Sequence, residues 1–248
     1  PVGRPPAPVY LPLARRGGAS HTAAMSAPPA PLSPARRRAA MVNSLLVDHG
    51  LFRTAWRNWG VVEAGRLYRS NHPLPWQLRD AVRRFGLRTV INLRGQRLAC
   101  GSDQLGRTAA QELGLVHVDA PFESRGAPHR DRVLRLAEVY RGMAEPALIH
   151  CKSGADRTGL GAGIWLLLQG RPPGQALDQL SVRFGHVRQS RTGILDAFFL
   201  LYAEARRAQP GLGFLDWVRD HYDEAALRRD FQSRAWADRL MDGVLRRE

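Results

Sequence analysis

The sequence predicts an α/β fold: a three-layer domain with a central, mainly parallel sheet flanked by helices. Three observations lead there. Short apolar runs of strand length alternate with helix-length segments from about residue 61 onward, and that alternation argues βαβ units around a parallel sheet. One such run, Pro146-Ala147-Leu148-Ile149, passes through a tight polar loop directly into the apolar stretch Thr158 to Gln169. A strand-to-helix loop at a sheet's carboxyl end is where these folds place ligands. Finally, the chain of 248 residues, 44% hydrophobic, is long enough for the core of one domain after an atypical N-terminus is set aside.

That N-terminus is residues 1–40. It is rich in Pro, Ala and Arg, holds six arginines and no acidic residue, and shows no apolar periodicity. Such a segment cannot bury enough surface to offset its ordering entropy, so it is expected to be a disordered tail. Met25 and Met41 both offer translation starts, so the tail is kept out of the fold. Residues 41–248 are expected to form a single domain with a helical C-terminal part.

Strands are expected near Val61-Val62 and Leu67-Tyr68, a helix over 76–85 and a strand over 89–93. A helix over 103–113, a strand over 115–118 and a helix over 131–142 follow. The strand 147–150 leads into a helix over 158–169. Pro172-Pro173 opens another helix reaching to about Phe184, since proline is suited to a first helical turn. Helices then cover about 194–208, 213–221 and 224–240. The stretch Leu45-Leu46-Val47, Leu51-Phe52 and Trp56 to Trp59, flanked by Arg53 and Arg57, reads as an N-terminal helix packed on the domain. It is also the segment suited to peripheral membrane contact. No run approaches the roughly 20 apolar residues of a spanning helix, and no secretory signal fits.

Residues 150–159 read His-Cys-Lys-Ser-Gly-Ala-Asp-Arg-Thr-Gly. Backbone N–H groups in such a loop, together with the helix N-terminus behind it, converge on one point suited to a phosphate dianion. They favour the thiolate of Cys151, the reactive form of a group that is otherwise mostly protonated. Arg157 supplies a planar fork that grips two phosphoryl oxygens at once. This set implies attack of Cys151 on phosphorus, a phosphocysteine intermediate and its hydrolysis by water, with Arg157 and the loop amides stabilising the equatorial oxygens. The Thr158 hydroxyl is expected to hydrogen-bond the Cys151 sulfur. Lys152, Ser153, Gly154, Ala155 and Thr158 are the expected substrate-binding residues.

The segment resembles the His-Cys-x5-Arg-Ser/Thr signature loop of the cysteine-dependent protein tyrosine and dual-specificity phosphatases. Gly65-Arg66-Leu67-Tyr68-Arg69-Ser70, followed by Gly86-Leu87-Arg88-Thr89-Val90-Ile91-Asn92-Leu93-Arg94-Gly95, is similar to the start of the compact bacterial dual-specificity-like members. The resemblance spans roughly residues 60 to 235. It implies a tyrosine phosphatase-like fold and a metal-free, cofactor-free phosphoric monoester hydrolase. It also implies a general acid on a loop after another strand. Here Asp119-Ala120-Pro121-Phe122-Glu123-Ser124 follows the strand at 115–118, with Ser124 at the position that holds Asp in the similar phosphoinositide phosphatases. Asp156, Glu123 and Asp119 therefore all remain candidates, and Asp156 is carried forward with Cys151 and Arg157 as the catalytic set. A carboxylate beside Arg157 tends to stay ionised, and a substrate with a good leaving group needs no protein acid.

Lys152, the chain's only lysine, reads either as an extra cation for a polyphosphorylated substrate or as a solvated loop side chain. Asn92 and Arg94 read either as pocket rim or as a turn and a surface charge. The net charge of +15 suits a phosphorylated protein or another anionic phospho-ligand. No nucleic-acid motif accompanies it, and nucleic acid is not an expected partner. The two cysteines, Cys100 and Cys151, make no disulfide framework and point to a reducing, cytoplasmic setting. Cys100 reads as an ordinary loop residue or as a reversible disulfide partner of Cys151. His117, His129 and His186 lack metal-ligand spacing, so no metal is expected. His150 is expected to set the loop by hydrogen bonding, and Gly185-His186-Val187-Arg188 to cap a helix.

The expected function is a protein tyrosine or dual-specificity phosphatase. The alternatives are a phosphoinositide, inositol phosphate or phospholipid phosphatase, and a catalytically inactive phosphate-binding module. A rhodanese-like sulfur transferase fits less well, because the loop has the phosphatase length and the Arg-Thr-Gly ending.

Overall fold

The computed structural model describes residues 32–48 and 54–232. Five strands form one sheet: β1 (Gly60–Glu63), β2 (Leu67–Ser70), β3 (Thr89–Asn92), β4 (Val116–Asp119) and β5 (Ala147–His150), in the order β1-β2-β5-β3-β4. Only β1 runs antiparallel, paired with β2; the other three pairings are parallel. The helices are α1 (Pro34–Leu46), α2 (Pro75–Phe85), α3 (Gly101–Glu112), α4 (Arg130–Gly142), α5 (Asp156–Leu168), α6 (Pro173–Asp178), α7 (Ile194–Ala208), α8 (Phe214–Asp220) and α9 (Glu224–Phe231).

Strand alternation assigns the two faces. Leu67, Ile91, Ala147 and Ile149 point into the larger core with Trp165, Phe198, Phe199 and Trp217 from the α5, α7 and α8 side. Tyr68, Val90 and Leu148 point to the opposite core with Leu78, Ala81, Ala109 and Ala110 from α2 and α3. Strand β5 is buried on both faces, and helices cover both sides of the sheet, as expected for a parallel sheet. Its last residue, His150, lies in register with Ser70 of β2 and Asn92 of β3. The chain that follows therefore emerges between two flanking strand ends.

Two expectations change. Residues 34–40, read as tail, form the first half of α1. Pro34 sits in its first turn, and the Ser33 side chain accepts from the Arg36 amide. Arg37 pairs with Glu112, and the Ser44 and Ser102 hydroxyls meet at 2.8 Å. Gly101 accepts the close approach of α1, since a Cβ there would stand 2.2 Å from the Ala40 carbonyl oxygen. Tertiary packing thus orders a segment whose composition alone could not. The remaining tail residues, 1–31, lie outside the described residues. The second change is the helix expected from Pro172 to Phe184. It ends at Asp178, and Val182–Phe184 forms a separate 3₁₀ turn closed by Gly185 at φ 78°. Across the break Leu180 and Phe184 stay buried while Val182 is left in solvent.

Of the apolar stretch between residues 45 and 59, residues 49–53 lie outside the described residues. Trp59 stacks on Tyr68 and Phe85, whereas Trp56 is 51% exposed. Helix α9 is described to Phe231, so the expected extension to residue 240 lies outside. Among the described residues no helix is long and apolar enough to cross a membrane.

Candidate active site

Cys151 follows β5 directly, is 1% exposed, and opens a five-residue loop, Cys151 to Ala155, that leads into Asp156, the first residue of α5. The scaffold holds the loop's carbonyls from outside. The His72 amide donates to the Lys152 carbonyl at 3.3 Å. Asn58 Nδ2 donates to the Ser153 carbonyl at 2.8 Å. Arg69 Nη2 donates to the Gly154 carbonyl at 2.8 Å and reaches that of Ala155 at 3.4 Å. Of the loop N–H groups, that of Gly154 turns onto Cys151 Sγ at 3.2 Å and that of Ala155 onto Ser153 Oγ at 3.4 Å.

Gly154 is required twice over. Its φ is 80°, a region that side chains rarely adopt. A Cβ there would also meet the Asn71 amide nitrogen at 2.7 Å and Asn58 Nδ2 at 2.9 Å. In this conformation the Gly154 N–H donates to Cys151 Sγ at 3.2 Å. The expected Thr158–Cys151 bond is absent. Thr158 Oγ1 and Arg157 Nε are buried without a hydrogen-bond partner among the described residues, and the sulfur takes its hydrogen bond from Gly154 instead. Unmatched buried donors of this kind are costly unless a ligand satisfies them.

Arg69 is the principal residue the sequence reading left without a role. It is fully buried, donates through Nη1 to the Gln179 carbonyl and side chain at 2.8 and 2.9 Å, and stacks 3.6 Å above the Phe184 ring. Burial pulls its guanidinium down to about 10, against the attraction of Cys151, so it remains cationic at neutral pH. Its sequence signal was an arginine inside an otherwise buried strand, Leu67–Ser70.

The three candidate acids fare differently. Asp119 takes both its oxygens to Arg107 at 2.8 Å and one to Asn92 at 3.0 Å. Glu123 pairs with Arg132 and, at 3.5 Å, with His129. Asp156 sits at the loop's end and meets His186 Nδ1 at 2.8 Å. Asn92 is a buried strut, bonded also to Asp103 and the Gly95 carbonyl. Arg94 forks onto Asp48 at 3.0 and 3.2 Å. Asp48 also lies 3.5 Å from Lys152 Nζ, so Arg94 touches the loop through an acid rather than directly. The Lys152 side chain is 42% exposed. His150 packs edge-on against His72, their rings 4.5 Å apart. Cys100 Sγ lies 3.9 Å from Arg94 Nη2. Among the described residues no group of three or more His, Cys, Asp or Glu side chains is arranged to hold a metal ion.

Residues 76–192 match the family model described as DSP-PTPase phosphatase fused to NAD+ kinase. The match covers just under half of the chain's 248 residues, and that stretch is similar to a dual-specificity-like phosphatase domain. Solved structures similar to it include the core catalytic domain of the PP-IP phosphatase Siw14 from S. cerevisiae in complex with citrate (20% identity, 62% of this chain and 96% of that one, TM-score 0.48). TpbA from P. aeruginosa is also similar (21% identity, 71% and 92%, TM-score 0.46). A third is PTPMT1 in complex with PI(5)P (17% identity, 60% and 98%, TM-score 0.44). No curated protein matches the chain.

Proposed function

We propose that the chain hydrolyses phosphomonoesters through a phosphocysteine intermediate on Cys151, with protein phosphotyrosine as its first substrate class. In this reading the amides of Lys152, Ser153, Gly154 and Ala155 hold the equatorial phosphoryl oxygens, and Arg157 grips two of them. Thr158 donates its unmatched hydroxyl to the bound phosphoryl group or to the departing sulfur. Asp156 is the carboxylate that moves protons, since Asp119 and Glu123 are engaged with Arg107 and Arg132. The observation that carries the reading is the Gly154 N–H on Cys151 Sγ at 3.2 Å, beside the unmatched Arg157 Nε.

A second reading, a phosphoinositide or inositol phosphate substrate, is favoured by one observation. Lys152 offers an accessible cation on the loop itself, tied among the described residues to Asp48 at 3.5 Å. A panel of p-nitrophenyl phosphate, phosphotyrosine and phosphoserine peptides, phosphoinositides and inositol polyphosphates decides between the two, with Cys151→Ser as control. Faster release from phosphotyrosine peptides supports the first reading, and preference for inositides the second. Cys151-independent release refutes covalent catalysis by Cys151.

A further inference from the structure

Behind Asp156 lie three charged groups, His186, Asp196 and Arg188, that take no part in the phosphocysteine reaction. His186 Nδ1 stands 2.8 Å from Asp156 Oδ1, and its Nε2 stands 2.6 Å from Asp196 Oδ2. Arg188 Nε donates to the second oxygen of Asp196 at 2.8 Å. His186 is 1% exposed, and Asp196 is fully buried in the first turn of α7. A neutral imidazole has a single N–H. Two carboxylates at these distances are both satisfied by an imidazolium, which donates from each nitrogen. Two anions and two cations then alternate along the chain, the form in which buried ions are compensated.

Burial opposes the charge on His186, but the bonds to Asp156 and Asp196 override it and raise the group to about 9. The charged groups bonded to His186 or to its anchor are Asp156, Asp196 and Arg188. The other oxygen of Asp156 has no protein partner among the described residues.

We propose that His186, anchored by Asp196 and Arg188, is a positioning residue that holds the Asp156 carboxylate through its Oδ1, so that Asp156 acts as the base of the second step and the first step runs without a protein acid. The proposal rests on the phosphocysteine reading and narrows its substrate class. In the first step the Cys151 thiolate forms the S–P bond. The P–O bond breaks, and the leaving oxygen departs as an anion with the bonding pair, taking its proton from water. In the second step the Asp156 carboxylate removes a proton from water as that water's oxygen bonds to phosphorus. The S–P bond breaks, and the pair returns to sulfur as thiolate. Such an enzyme selects leaving groups stable as anions: the aryl oxygen of phosphotyrosine or a phosphate leaving from an anhydride. Alkyl esters of serine, threonine, glycerol or inositol are poor substrates.

The test measures kcat and kcat/KM for a series of aryl phosphates of graded leaving-group acidity, a phosphoanhydride and an alkyl phosphate. Wild type, His186→Gln and Cys151→Ser are compared across pH. Wild-type kcat/KM is expected to fall roughly tenfold for each unit of leaving-group pKa. The wild-type kcat profile, limited by the second step for good leaving groups, should decline as pH rises through about 9. His186→Gln should lower kcat more than kcat/KM and remove that decline. The phosphotyrosine and anhydride arms say which source of good leaving group is preferred. A shallow leaving-group slope with ready alkyl turnover, or an unchanged kcat profile in His186→Gln, overturns the proposal alone. Turnover that survives Cys151→Ser overturns the covalent reading beneath it. The wild-type slope needs no variant, so the test stands even where His186→Gln does not fold.

Discussion

Arg69→Met removes one side chain that touches neither nucleophile nor substrate, yet it should disable the loop. Methionine approximates the arginine stem but carries no donor. The change strips hydrogen bonds from the Gly154 carbonyl at 2.8 Å and from the Gln179 carbonyl and side chain at 2.8 and 2.9 Å. It also ends the stacking on Phe184. A hydrogen bond to a charged group contributes about 1.5–3 kcal/mol. Loss of buried desolvation cost on the cation offsets part of that sum, so a net loss on the order of 3 kcal/mol is expected. The functional loss should be separate and larger in relative terms. Once released, the Gly154 carbonyl can rotate inward and its amide away from Cys151 Sγ, and misplacement of about 1 Å in a reacting constellation can cost on the order of 100-fold. The assay pairs urea unfolding with kcat/KM for p-nitrophenyl phosphate under conditions where the variant is folded. A folded Arg69→Met with kcat/KM within threefold of wild type would refute the idea that Arg69 sets the loop.

Further outcomes follow from the same geometry. Gly154→Ala forces a Cβ against the Asn71 amide at 2.7 Å in a φ of 80°; inorganic phosphate should bind at least tenfold more weakly, read by competition against turnover, which is about 1.4 kcal/mol. Asp119→Asn and Glu123→Gln should each retain the wild-type shape of the pH–rate profile, because both carboxylates serve arginines; loss of an acidic dependence in either would transfer the proton role from Asp156. His186 is raised from 6.5 to about 9, so its charge stabilises the fold fully below pH 6.5, and that contribution is lost as pH rises through 9. The melting temperature of His186→Gln should therefore approach that of wild type over this window, the contribution at stake being on the order of 2–3 kcal/mol. A constant difference between the two proteins across the window would show that His186 does not titrate there.

Much of this protein was legible in its residues. The placement of β2 to β5 and of α2 to α5 followed from apolar periodicity and from Gly and Pro punctuation, signals that are local in the chain. The proposed nucleophile and its arginine could be read from one loop because phosphate chemistry demands a thiolate, a run of amides and a fork within a few consecutive positions. What stayed hidden depends on contacts between residues far apart. Composition assigned residues 34–40 to a tail, and only the seat on Gly101 and Glu112 makes them helix. Arg69 read as one letter of a strand, and only the parallel register with β5 carries it behind the loop it supports. His186 stands 30 residues from Asp156 and 10 from Asp196, and no spacing rule joins them. Local sequence determined where the chemistry is, because that chemistry is built from neighbours along one loop. Tertiary structure decided what holds the loop and what Asp156 is bonded to, because burial and paired charge arise only where separate elements meet.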